Sequence, residues 1–134
     1  MRSKGIILLG SKFIVGGSAY GGIEILWRGF THISMIILGG LCFLGLLRIS
    51  QYKLNLVSKS VAGGGMITVA ELLAGIILNI WLSLDVWDYS DQRFQLLGQV
   101  SLKYFVLWCG LSFVVVAGYK LVGVLLKMRR TSNA

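Results

Sequence analysis

Apolar positions along this chain gather into four long stretches, separated by short polar connections. They cover about residues 5–27, 33–52, 61–84 and 97–119, with apolar residues continuing to Leu126. About 20 helical residues cross the hydrocarbon of a bilayer. The second stretch is apolar only over 33–47 and reaches that length by taking in polar neighbours. Each stretch is predicted to be a membrane-spanning helix. The expected fold is an all-α bundle of four, built as two tandem helical hairpins in a single polytopic membrane domain. The sequence has no proline, so no helix is predicted to carry a proline kink. The opening MRSK-GIILLG resembles a signal peptide only briefly, because Lys12 interrupts its apolar run and no small-residue cleavage site follows. It reads as part of a retained first helix.

Composition agrees with this pattern. Of 134 residues, 56% are hydrophobic and only 13% charged, about half the charged share of an ordinary soluble domain. Disordered chains are polar and charged, so disorder is excluded on the same ground. Four spans leave room for short loops but not for a soluble catalytic domain. Cys42 and Cys109 lie inside apolar runs and read as packing residues rather than a disulfide framework.

The net charge of +8 suits nucleic acid only until the basic residues are placed. Arg2, Lys4, Lys12, Arg48, Lys53, Lys59, Lys120, Lys127, Arg129 and Arg130 fall on one side of the predicted topology. Arg28, Arg93 and Lys103 fall on the other, beside Asp85, Asp88 and Asp91. Basic residues stay cytoplasmic, so both termini are expected inside, and the charge becomes a topology signal rather than a nucleic-acid footprint. Trp27, Trp81 and Trp87 fall near the outer interface and Tyr52 and Tyr119 near the inner one, as aromatic belts do.

The first and third spans share a polar stripe. Gly17, Gly21, Glu24 and Arg28 recur at steps that keep one helix face, and so do Gly64, Thr68, Glu71, Gly75 and Asn79. The two sets are offset by 47 positions, which also relates His32 to Asn79. A weaker echo relates the MIILGG run ending at Gly40 to RFQLLGQ around Gly98. The pattern reads as a parallel repeat of a two-span unit. An ionisable group deep in a bilayer costs about 2.5–3.5 kcal/mol or more, so it turns inward and finds a partner. Glu71 lies mid-span, and Glu24 has Arg28 four residues on, a spacing that permits an ion pair within the helix. Gly17-x-x-x-Gly21 allows close helix approach. Glu24, Arg28, His32, Glu71 and Asn79 are the candidate substrate or proton site. The alternative for the same residues is a buried polar latch, with Glu71 held by Asn79, Thr68 or His32.

Other chemistry finds little support. His32 is the sole histidine, and no cluster has metal-ligand spacing, so neither metal nor cofactor is expected. There is no P-loop lysine, and no nucleophile–base arrangement stands out, so no enzyme is expected. The run from Asp85 to Phe94 is the most distinctive loop. Its Asp85, Trp87, Asp88, Tyr89 and Arg93 form a candidate outer binding surface. The plainer reading is an interfacial turn, with Trp87 as anchor and an aspartate or Ser90 capping the next helix.

These residues carry a resemblance. Glu24 to Met35 with Gly39-Gly40, then Thr68, Glu71, Gly75 and Asn79, then Val86-Trp87-Asp88-Tyr89-Ser90, Leu97-Gly98-Gln99 and Leu107-Trp108, together resemble the ABC-transporter type IV permeases, the CmpB-like bacterial membrane proteins. The likeness covers most of residues 16–108, and Trp87-Asp88-Tyr89-Ser90 is its most specific part. Phe94-Gln95 departs from the Phe-Asn that members often carry. The resemblance implies a multi-pass protein of the bacterial cytoplasmic membrane that acts in transport. Its expected partners are the lipid bilayer, a separate ATPase or other membrane protein, and further copies of itself as a homo-oligomer. The connection Arg48–Ser60 is short for an ATPase-docking helix, although an oligomer supplies more surface. Two other classes stay open. One is a self-contained proton-coupled small exporter. The other is a non-transport accessory, assembly or phage-type permeabilising protein.

Overall fold

A computed structural model describes residues 2–133. Helix α1 spans Arg2–Arg28, α2 Ile33–Ser50 and α3 Leu56–Gly75, which continues through a π-helical turn at Ile76–Trp81. Two short strands, β1 (Gln95–Leu96) and β2 (Val100–Ser101), precede α4 (Leu102–Ser132). All four helices, with α3 counted through Trp81, are long and apolar enough to cross a membrane.

The apolar side chains point mostly outward. Leu8, Ile25, Val69, Leu73, Val106 and Val114 are all exposed, a surface that suits hydrocarbon and not water. The interior is correspondingly small: Met35, Leu46, Ile67, Trp108 and Val116, joined by Val86 and Trp87 from the outer loop. In lipid, apolar burial gives helices little reason to associate, so close backbone approach matters more. The two hairpins achieve it alike. In the first, Phe13 lies on Gly40 and Gly16 on Phe43, while Gly17 meets Ile36 and Tyr20 meets Gly39, an antiparallel register. In the second, Gly63 lies on Ser112 and Gly64 on Cys109. Gly16-Gly17 and Gly63-Gly64 are 47 positions apart and serve the same purpose in each hairpin. The weaker echo fails: Gly40 is helical and packed, whereas Gly98 sits in a turn at φ +70°.

Helix α2 packs on both helices of the second hairpin, while α1 packs chiefly on α2. The ends are capped as local chemistry requires. His32 Nδ1 accepts from Ser34 N at the start of α2, Asn55 Oδ1 from Ser58 N at α3, and Ser101 Oγ from Tyr104 N at α4. Ser101 is thus the cap of α4, in place of the aspartate or Ser90 expected there. The fourth helix begins at Leu102 and not at 97, because residues 95–101 close a β-hairpin in which Gln95 pairs with Ser101. Leu97 and Gly98 take positive φ within its turn. The third helix starts at Leu56, earlier than residue 61, and ends at Trp81, short of 84. Residues 82–94 form an irregular loop with Ser83, Asp85 and Phe94 at positive φ.

Candidate functional site

The site lies where this loop turns back into the bundle. The π turn widens the end of α3 and brings Asn79 under the loop. Such turns are frequent at functional positions. Asn79 Oδ1 accepts from Val86 N at 2.7 Å, and its Nδ2 donates to Gln99 Oε1 at 2.7 Å. Trp87 is 5% exposed, and its Nε1 donates to the Gln99 carbonyl at 2.9 Å. Trp87 is therefore a buried plug, a correction to the interfacial anchor expected of it. An indole with a bonded N–H can sit inside at no polar cost. Gly75 leaves the space that Gln99 fills.

Two carboxylates lie beneath the plug. Glu24 accepts from Tyr20 Oη at 3.0 Å and from Arg28 Nε at 2.6 Å, the one ion pair among the described residues. Arg28 Nη1 donates to the Val86 carbonyl at 2.8 Å, tying the end of α1 to the loop. Its guanidinium also lies 4.6 Å from the centre of the Phe30 ring, while Nη2 is buried with no hydrogen-bond partner among the described residues. Glu71 is 2% exposed. Tyr89 Oη donates to its Oε1 at 3.1 Å and Trp108 Nε1 to its Oε2 at 2.9 Å. Both donors are neutral. Burial, with the Glu71 carboxylate beside it, pushes the Tyr89 phenol up, so Tyr89 stays an O–H donor.

Aromatic rings complete the walls. Tyr89 stacks on Tyr104 with centroids 4.3 Å apart, and Trp108 lies 5.9 Å from Tyr20 and 6.1 Å from Tyr104. A cavity of about 130 Å³ reaches Glu71 between Tyr20, Cys42, Ile67 and Trp108. A second, of about 220 Å³, lies beside Glu24 and Arg28 and shares Tyr20 and Trp108 with the first.

The structure thus gathers Glu24, Arg28, Glu71, Asn79, Trp87 and Tyr89 into one region. His32 stands apart as the cap of α2, its Nδ1 2.6 Å from Ser34 Oγ. None of the latch partners foreseen for Glu71 hydrogen-bonds to it: Asn79 holds the loop, Thr68 donates to the Gly64 carbonyl, and His32 is engaged locally. Asp85, Asp88, Asp91 and Arg93 lie exposed on the loop's outer face. The Ser90 N–H holds the Asp88 carboxyl below the usual range, and the two make a local turn. Tyr20, Gln99, Tyr104 and Trp108 are the contributors that sequence reasoning did not place in the site.

The profile of a family described as "Putative ABC-transporter type IV" matches residues 17–131. The chain belongs to that family. The matched region begins at Gly17, the first position of the repeated stripe, and takes in every residue of the site. Among curated proteins and among solved structures nothing matches. The family and the four apolar helices together make this an ABC-transporter-type, multi-pass membrane protein.

Proposed function

We propose that the chain is a permease-type transport subunit that engages its substrate at Glu71, within the bilayer. One observation carries this reading: Glu71 is almost fully buried, borders a cavity, and receives only neutral hydrogen bonds. A carboxylate in hydrocarbon is relieved by a proton or by a cation. A group built only to latch helices is served better by a charged partner, as Glu24 is by Arg28. Glu71 is instead left able to exchange one positive partner for another. The proposal places both termini in the bacterial cytoplasm and assigns no bond-breaking chemistry to the chain. A separate ATPase and an oligomeric assembly supply the energy coupling.

Inside-out vesicles from cells making the full chain test the reading. Labelled organic cations, anions and neutral amphiphiles are offered with ATP plus a protonophore, then with a proton gradient and no ATP. Expected is ATP-dependent movement of one solute class that is lost in Glu71→Gln at equal abundance. Movement driven by the gradient alone supports the self-contained exporter instead. No Glu71-dependent movement of any class overturns the transport reading.

A further inference from the structure

We infer that the gap between α1 and α4 is a lipid-side entrance to a site for a compact organic cation with an apolar body. The inference rests on the transport reading for its purpose, but its chemistry is read from the gap itself. Because α1 packs chiefly on α2 and α3 on α4, the first and last helices face each other across an opening. The cavity of about 220 Å³ fills that opening. Ile23 and Trp27 of α1 and Leu107 of α4 line its mouth, and they are 46%, 69% and 44% exposed. They belong to the same outward apolar surface that hydrocarbon covers. The other approach, from the polar end, is stopped by Trp87, by Val86 on Arg28 and by Asn79 on the loop backbone. The open path therefore runs sideways into the membrane.

What the path accepts follows from charge and rings. Inside the mouth, the cavity shares Tyr20, Ile23, Trp108 and Leu111 with the one that reaches Glu71. Glu24 is neutralised by Arg28, which leaves Glu71 as the uncompensated carboxylate of the pair. Tyr20, Tyr104 and Trp108 line the same space, and a ligand ammonium seated over the face of one of these rings is favoured there because it is weakly hydrated. A neutral ligand of equal shape leaves the carboxylate unpaired, and an anion is repelled by it. The modest volumes restrict the ligand to one ring or a short chain.

The test uses the purified full chain in phosphatidylcholine nanodiscs, with calorimetric titration of three probes of matched size. Benzyltrimethylammonium is the cation, neopentylbenzene its neutral isostere, and benzenesulfonate the anion. Expected is binding of the ammonium alone, weakened about tenfold or more in Glu71→Gln, since the charge is then gone. Protons compete at the same carboxylate, so acidification weakens binding by wild type but not by the variant. The other titratable groups facing Glu71 are Tyr20 and Glu24 from α1, Cys42 from α2 and Tyr89 from the loop, while Arg28 is held on Glu24 and Tyr104 of α4 stacks on Tyr89. Leu107→Trp, which plugs the mouth without touching Glu71, is expected to slow association and leave assembly unchanged. If Glu71→Gln does not assemble, the comparison of probes on wild type and the Leu107→Trp rate carry the test. Equal binding of the isostere or the sulfonate overturns the inference, and so does unaltered association in Leu107→Trp. Ammonium binding with no vesicle transport sinks the transport reading alone. Glu71-dependent transport of an anion or a neutral solute sinks the cation inference alone.

Discussion

At Glu71 the hydrogen-bond inventory separates a structural role from a charged one. Trp108 Nε1 can only donate, whereas the Tyr89 hydroxyl can turn and accept. A glutamine therefore keeps both contacts, with its carbonyl toward Trp108 and its amide toward Tyr89. Glu71→Ala orphans the buried indole N–H and leaves a cavity, and it is expected to destabilise the bundle by about 2–4 kcal/mol. Glu71→Gln is expected to melt in detergent at or above the wild-type temperature, because it removes a buried charge while keeping the bonds. A loss in Glu71→Gln as large as in Glu71→Ala shows instead that the charge holds the fold. The carboxylates were legible in the sequence because an ionisable residue in an apolar run has few innocent explanations. Their partners were not. Trp108 in an apolar helix reads as packing, and Tyr89 in a loop reads as an interfacial aromatic. The contacts they make to Glu71 bridge 37 and 18 positions, which no local pattern encodes.

The two hairpins depend on glycine pairs whose roles differ from those of their neighbours. A Cβ added at Gly64 would lie 2.9 Å from the Cys109 backbone nitrogen, while Gly65 next to it faces open space. Gly64→Ala is expected to push α3 from α4 and cost about 1–3 kcal/mol. Gly65→Ala is expected to be neutral or stabilising by up to about 1 kcal/mol, through helix propensity alone. Reversible unfolding in mixed detergent reads both. A Gly64→Ala protein as stable as Gly65→Ala defeats the close-approach account of hairpin packing. The spans were readable because hydrocarbon demands length and apolarity. The loop's inward fold was not, since β1 and β2 have two residues each and the turn rests on positive φ at Leu97 as well as Gly98. A leucine in that conformation gives no sign of it. The π turn at Ile76–Trp81 is equally silent in sequence, and without it Asn79 reads as one more polar position on the stripe.

For the whole molecule, the expected orientation rests on which cations remain free at each end. Of the three basic residues at the loop end, Arg28 is committed to Glu24 and the Val86 carbonyl. That leaves Arg93 and Lys103, both exposed, against exposed Asp85, Asp88 and Asp91, so the free charge there is net negative. The opposite end carries Lys120, Lys127, Arg129 and Arg130 along an exposed stretch of α4, with the basic residues of α1 and of the α2–α3 connection. Anionic cytoplasmic lipid favours that end by about 1 kcal/mol per basic residue close to the surface. The asymmetry is thus sharper than the residue count alone. Asp91→Cys is expected to react with a membrane-impermeant maleimide on intact cells, and Asn133→Cys only after permeabilisation. Cys42 and Cys109 sit within the spans and serve as the unlabelled background. The reverse pattern inverts the molecule and puts the Trp87 plug in the cytoplasm. Labelling of both sites on intact cells means two coexisting orientations, which overturns the expected single topology and is what a dual-topology exporter requires.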